Sequence, residues 1–261
     1  MVKYIRRVTR DISKVELAYW WILRLLMIGG IFYRLIKPDG LGSYQPMQMA
    51  ANLVGMFAFE ICQLFPEKTF PRYFSHKYQN VSILVFFLAS FGGAFLNFYY
   101  ILPGFDKVLH AFGSGVGVYV SYEFICAIQL RDKVKCPANI AAIAAMGVAL
   151  IFATGWEIFE FSFDQWFGGD AQHWDLQKAI EEAGGNVENV FMLIPLDEAR
   201  FESRFALMDT MADTILNLIG ALVMYIALKI KPYCFSANIT KLTKGCTKVC
   251  IFQQLWYNLS Y

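Results

Sequence analysis

Apolar residues along the chain fall in blocks of roughly 20 residues, the length at which an α-helix crosses a hydrocarbon core. Six blocks are present, over residues 17–36, 47–65, 81–102, 108–130, 140–163 and 205–228. Polar or helix-breaking stretches separate them: Pro38-Asp39-Gly40, residues 66–79, Pro103-Gly104, residues 131–137 and a long segment over 165–204. No internal repeat or low-complexity region interrupts the alternation. The pattern predicts an all-α fold, a polytopic bundle of six transmembrane helices. It divides the chain into a basic N-terminal segment (1–16), a membrane domain (17–230) with a cap loop (165–204), and a basic tail (231–261). The first block follows a long basic segment and is a full span in length, so a signal peptide is not expected.

Composition agrees with that division. Of 261 residues, 57% are hydrophobic and only 17% charged, where soluble domains run nearer a quarter charged. The net charge of +2, spread over the loops, gives no basic face for nucleic acid. The positive charges decide orientation, because Lys and Arg concentrate in cytoplasmic loops. They gather before the first block (Lys3, Arg6, Arg7, Arg10, Lys14), in the second loop (Lys68, Arg72, Lys77), in the fourth (Arg131, Lys133, Lys135) and in the tail (Lys229, Lys231, Lys241, Lys244, Lys248). The fifth loop is mostly acidic. Both termini are therefore expected in the cytoplasm, and residues 165–204 outside. Within that loop, residues 171–183 suit a short helix stopped by Gly184-Gly185. Trp166, Phe167 and Trp174 suit the headgroup level.

On this topology the six cysteines (Cys62, Cys126, Cys136, Cys234, Cys246, Cys250) face the cytoplasm or lie in the inner half of a span, so disulfides are not expected. Cys246 and Cys250 are one turn apart and could hold a metal, but the tail offers only Cys234 nearby and no His.

Ionisable residues inside spans are costly and normally face the bundle interior. Asp106 and His110 open the fourth span on one helical face. Glu157, Glu160 and Asp164 share a face at the end of the fifth. Asp209, Asp213 and Asn217 form a stripe at the start of the sixth. At 1.5 Å per residue, His110, Glu157, Glu160, Asp209 and Asp213 fall at one level, roughly 5–12 Å below the outer boundary. Six carboxylates and one imidazole cannot all be charged and close without compensation. Protonation is one answer. A divalent metal ion (Mg, Mn, Fe or Zn) is another, since oxygen-rich sites with one His suit such ions. Structural hydrogen bonding is a third: the helix dipole favours Asp106 and Asp209 near N-termini, but not Glu157 and Glu160 near a C-terminus.

Other signals have blander readings. Arg24, Glu60 and Glu123 fall in the inner third of their spans and suit a structural ion pair. Gly113-x-Gly115-x-Gly117 suits close helix approach, with no strand before it to make a nucleotide fingerprint. His76 is expected to be solvated. His173, beside Asp170 and Asp175, could complete the outer site. Two glycosylation sequons, at Asn80 and Asn238, fall on the cytoplasmic side. No Ser-His-Asp or Cys-His nucleophile pairing is evident.

Three pieces together resemble the YjdF-like inner-membrane family of bacteria: Asp106-Lys107-x-x-His110 with Gly113 and Gly115; Gly155-Trp156-Glu157-x-x-Glu160-x-x-x-Asp164; and Asp209-Thr210-x-x-Asp213-x-x-x-Asn217-x-x-Gly220. More distantly, the chain is similar to VanZ-like membrane proteins. The resemblance covers spans four to six, with the six-span layout more loosely, and excludes the tail after Lys231. It implies a multi-pass cell-membrane location, the bacterial plasma membrane, and no particular reaction.

The residues themselves favour a metal-dependent hydrolase or transferase acting on a lipid-linked or amphipathic substrate at the extracytoplasmic face. Metal binding would fall to most of Asp106, His110, Glu157, Glu160, Asp209 and Asp213. Glu157 or Asp164 would be left as a general base for water. Lys107, Arg200 and Arg204 could hold an anionic headgroup, or simply touch lipid. A proton- or cation-coupled transporter and a non-enzymatic membrane scaffold are the alternatives. The transporter should carry polar residues right across the bundle.

Overall fold

The structure, a computed structural model, describes residues 8–9, 12–37, 44–102, 104–134, 136–167, 171–172, 180–181, 185 and 205–230. Every regular element among them is helical. Helix α1 (Lys14–Ile36) begins with a capping box. Ser13 Oγ accepts from Glu16 N at 3.1 Å, and Glu16 Oε2 accepts from Ser13 N at 2.9 Å. Two otherwise orphaned amides at the helix entry are thereby satisfied. Then follow α2 (Tyr44–Gly55), α3 (Ala58–Cys62), a 3-10 turn (Phe70–Tyr73), α4 (Lys77–Phe87), a π-helical segment (Leu88–Phe95) and α5 (Phe98–Ile101). Three long helices complete the fold: α6 (Phe105–Asp132), α7 (Ala138–Phe167) and α8 (Phe205–Ile230).

Five helical stretches are long and apolar enough to cross a membrane: Lys14–Ile36, Lys77–Phe95, Phe105–Asp132, Ala138–Trp166 and Ala206–Ile230. Their outward faces carry Ile22, Ile151, Phe152 and Val223, each more than half exposed. Such a surface requires a lipid bilayer around it.

The block over 47–65 is not the single helix that its hydropathy predicts. It breaks at Met56-Phe57, between α2 and α3. The physical reason lies elsewhere in the chain. The Met56 carbonyl accepts from Arg24 Nη2 at 2.5 Å and Nε at 3.2 Å, and also from Gln79 Nε2. Gln79 Oε1 in turn accepts from Phe59 N at 3.2 Å. Arg24 is 1% exposed; it pairs with Glu60 Oε1 at 2.7 Å and lies over the Phe57 ring. A buried guanidinium needs acceptors, and a backbone carbonyl released from a helix supplies one. Non-helical backbone at membrane depth is tolerated only where the protein satisfies it in this way. The ion pair expected at this level thus forms between Arg24 and Glu60, while Glu123 is buried apart from it.

The segment over 44–62 runs antiparallel to the stretch over 77–95. Gln45 donates to the Ala94 carbonyl at 3.2 Å, Asn52 bonds to Ser90, and Gln79 meets Met56. The π-helical segment also spares carbonyls, and side chains take them up: Tyr99 Oη donates to Ala89 O at 2.9 Å, and Arg34 Nη2 to Phe95 O at 3.1 Å. His76 is buried rather than solvated, 3.7 Å from Glu16 and edge-on to Phe59. Its loop folds under α1 because Glu16 and Asn80 bond there at 2.8 Å.

Helices α6, α7 and α8 pack as a unit around Val118, Ala145, Ala149 and Ala221. Gly117 faces Ala149 while His110 faces Glu157, so α7 is antiparallel to α6. Lys107 meets Asp209 and Gly115 meets Gly220, so α8 runs with α6. A Cβ at Gly220 would overlap the Ala111 carbonyl, and one at Gly115 would lie 3.3 Å from the Gly220 carbonyl. Small residues therefore set the crossing of α6 and α8, as the glycine spacing predicts.

Two outcomes follow from this packing. Gly220→Ala should cost about 1–3 kcal/mol by overpacking, whereas Gly29→Ala, which meets open space, should be silent in thermal unfolding in detergent. Equal midpoints for the two variants would refute the close crossing. Arg24→Met should cost about 2–4 kcal/mol by removing the guanidinium from the half-buried Glu60 carboxylate and the Met56 carbonyl; a loss under about 1 kcal/mol would mean that the pair holds nothing together.

Candidate functional site

Helix N-termini of α6 and α8 and the C-terminal part of α7 meet at one end of the bundle. Asp106, Lys107 and His110 lie in the first turns of α6, Asp209, Asp213 and Asn217 on one stripe of α8, and Glu157 on the facing side of α7. Their convergence follows from the parallel course of α6 and α8, with α7 returning between them.

Lys107 occupies the centre of the acidic group. Its Nζ donates to Asp106 Oδ2 at 3.0 Å, Asp209 Oδ1 at 2.5 Å and Asp213 Oδ2 at 2.7 Å. The sequence poses the question of what compensates the carboxylates, and Lys107 is part of the answer. Its position beside Asp106 was the available signal; the reach of its flexible stem across to α8 depends on the tertiary crossing. Neither a headgroup nor lipid is needed to explain where its charge goes.

His110 lies on the other side of the same aspartates. Its Nε2 is 3.5 Å from Asp106 Oδ1 and 3.8 Å from Asp213 Oδ1. Asp106 and Asp213 are thus divided, each with one oxygen on Lys107 and the other turned toward the imidazole. His110 Nδ1 is 3.3 Å from Asn217 Nδ2 and 3.6 Å from Glu157 Oε1. Three buried oxygens here make no hydrogen bond: both of Glu157 and Oδ1 of Asp213. Glu157 is 7% exposed and Asp213 1%. Buried polar atoms without hydrogen bonds are costly, and three of the eight among the described residues gather in this corner.

The remaining acids of α7 have hydrogen-bond partners outside the cluster, although Glu160 stays within electrostatic range of Asp106, His110 and Glu157. Glu160 accepts from its own helix neighbour Trp156 Nε1 at 2.7 Å. Asp164 accepts from the backbone amides of Ala171 and Gln172 at 2.7 and 2.9 Å. Gln172 Nε2 then donates to Thr210 Oγ1 at 2.8 Å. Asp164 therefore ties the start of the expected cap loop to α7, and Gln172 ties it to α8. Farther along, Gly185 N donates to Ile180 O at 2.8 Å with φ +79°, a bond of the kind that stops a helix. His173, Asp170, Asp175, Arg200, Arg204, Cys234, Cys246 and Cys250 lie outside the described residues.

Asp106, His110 and Asp213 can each offer one ligand atom, all within 4.8 Å of one another. Two bonds of about 2.1 Å to a shared ion span at most about 4.2 Å. The 3.5 and 3.8 Å separations about His110 Nε2 fall inside that limit, whereas the three atoms together spread over as much as 4.8 Å, and both aspartates are shared with the Lys107 ammonium. The donor set of two carboxylates and one imidazole fits a borderline or hard divalent cation.

Lys107 gives the cluster a testable sign. Lys107→Met should destabilise the bundle, because three aspartates are left facing one another. Adding Asp213→Asn to that variant should restore part of the loss. The double-mutant coupling should fall between about 0.5 and 3 kcal/mol, read from unfolding in detergent at neutral pH. Strictly additive losses would show that Lys107 and Asp213 do not act on each other.

No curated protein and no solved structure matches the chain. A family model does, over residues 18–231, which takes in every helix named above except the first residues of α1. The chain belongs to that family, described as predicted membrane protein (DUF2238), the family to which YjdF-like proteins belong.

Proposed function

We propose that this membrane protein is a metal-dependent hydrolase or transferase acting on a lipid-linked or amphipathic substrate at the extracytoplasmic face. The observation that carries the reading is the Glu157 carboxylate, buried beside His110 and the divided Asp106 and Asp213 with no hydrogen bond to either oxygen. Asp106, His110 and Asp213 would hold a divalent ion (Mg, Mn, Fe or Zn). Such an ion supplies Lewis acidity toward an ester or phosphoester. Glu157 takes up a proton from the attacking hydroxyl or water; its two oxygens have no hydrogen bond to surrender. Asp164 is the weaker candidate for that role, since both its oxygens are held by backbone amides. Asp209 shares Lys107 with the two divided aspartates and keeps the ammonium in place.

The orientation rests on charge. Lys and Arg flank the opposite end of the helices, which argues for a cytoplasmic side there and for an external site. The antiparallel course of 44–62 against 77–95 supports counting it as a sixth, broken crossing. At 1.5 Å per residue its length is about 28 Å, close to a hydrocarbon core. Six crossings return both termini to the cytoplasm, as expected for the bacterial plasma membrane.

One observation favours a cation-coupled transporter as the second reading: the buried Ser114 hydroxyl, one turn below His110, has no hydrogen-bond partner.

Elemental analysis of protein purified without chelator separates the two. Near-stoichiometric metal is expected in the parent and in Glu157→Gln, lost in His110→Ala with the fold retained. No metal after incubation with Mn²⁺, Zn²⁺, Fe²⁺ or Mg²⁺, together with proton-dependent solute uptake in proteoliposomes, would replace the enzyme reading with the transporter.

A further inference from the structure

Below the cluster, on the bilayer-facing side of α6 and α8, lies an open apolar groove of about 640 Å³. Its floor is Ala111, Gly115 and Gly220, where the two backbones approach too closely for larger side chains. Its walls include Val108, Ile219 and Val223. These are 69%, 48% and 63% exposed, so no helix among the described residues covers them. At the upper end lies Lys107, whose ammonium is bonded to Asp106, Asp209 and Asp213. The groove and the polar cluster therefore share a residue, and one runs directly into the other.

We propose that this groove binds a single hydrocarbon chain of a lipid whose polar head lies at the Asp106–His110–Asp213 cluster. Three features select that occupant. The volume lies within the range of about 300–1,000 Å³ usual for small-molecule sites. From Lys107 to Val116 the groove runs about 14 Å along α6, close to the ~15 Å of one leaflet's hydrocarbon. The lining is almost wholly apolar below Lys107, so it gives a chain an environment like the bilayer while holding it in one place. A partner helix could also lie against such a face. A groove that ends after one leaflet and opens on a charged cluster fits an amphipathic molecule better than a full-length span.

The chain's position would fix which bond of the lipid reaches the cluster. The reacting bond would lie at the junction of head and tail or within the head, and lipids entering from the same leaflet would be selected over water-soluble analogues. Calling that lipid a substrate rests on the enzyme reading given above; occupancy of the groove does not.

The test reconstitutes the full chain in phosphatidylethanolamine–phosphatidylglycerol vesicles doped with phosphatidylglycerol that carries a diazirine in its acyl chain. After irradiation, adducts are mapped by peptide mass spectrometry. Adducts at Val108, Ile219 and Val223 should exceed those at Ile151 and Phe152 of α7, which are at least as exposed, by about tenfold, a modest site preference in affinity terms. Val223→Trp, which fills the groove from its exposed wall, should abolish the excess while elution and metal content stay unchanged. Even labelling of α7 and the groove would overturn the proposal without any variant. Because the readout needs neither metal nor turnover, concentrated labelling in a metal-free protein would keep the groove and sink the enzyme reading. Uniform labelling in a metal-loaded protein would do the reverse.

Discussion

An ammonium held between three carboxylates ties α6 to α8 at one end, and a pair of glycines lets the same helices touch a few turns below. The two contacts depend on each other. If α8 slid by one residue, a side chain would meet the Ala111 carbonyl where Gly220 now lies, and Lys107 would be drawn away from Asp209 and Asp213. Packing in a membrane gains little from apolar burial between helices, because lipid tails are as apolar as leucine. Register must come from close van der Waals approach and from polar contacts that have no alternative partner. In the bundle of α6, α7 and α8 both devices act at the same interface, and the level of His110 and Glu157 follows from them.

The first half of the chain solves a different problem. Its helices are irregular: α2 and α3 are separated by a break, and α4 passes into a π-helical segment. Each irregularity releases carbonyls, and polar side chains from neighbouring elements accept the task of satisfying them. Arg24 and Gln79 serve Met56; Tyr99, Gln45 and Arg34 serve Ala89, Ala94 and Phe95. Polar residues that look misplaced in a hydropathy profile are thus the complement of backbone that is not helical. Among the described residues of that half, no carboxylate has both oxygens buried without a hydrogen bond, as Glu157 has.

Much of this was legible in the sequence because bilayer thickness forces a simple length code on helices, and because an acid every fourth position on an apolar stretch has few places to go. Four of the five long helices lie within a few residues of their hydropathy blocks; the stretch Lys77–Phe95 stops well short of residue 102, where its block ends, because the chain turns at Asn97 with φ 61°. The stripes of Asp106 with His110, and of Asp213 with Asn217, do converge with Glu157. What periodicity could not reveal was tertiary. The break at Met56 is set by an arginine on another helix and not by a local proline. The fate of Lys107 depends on a crossing distance, and Glu157 and Asp164 share a helical face yet differ in whether a loop returns to one of them. The burial of His76 likewise depends on where Glu16 and Asn80 meet.

The Arg24–Met56 contact also constrains how the protein is made. During synthesis α1 emerges before its partner segment, carrying a guanidinium whose exposure to hydrocarbon costs at most about 2.5–3.5 kcal/mol on insertion scales. Its carbonyl acceptor lies 32 residues later in the chain, and the Gln79 amide that shares the acceptor comes later still. That cost is relieved only when the broken segment packs beside α1 and the Met56 carbonyl and Glu60 carboxylate reach the guanidinium, so one arginine gives the second segment a reason to join the first.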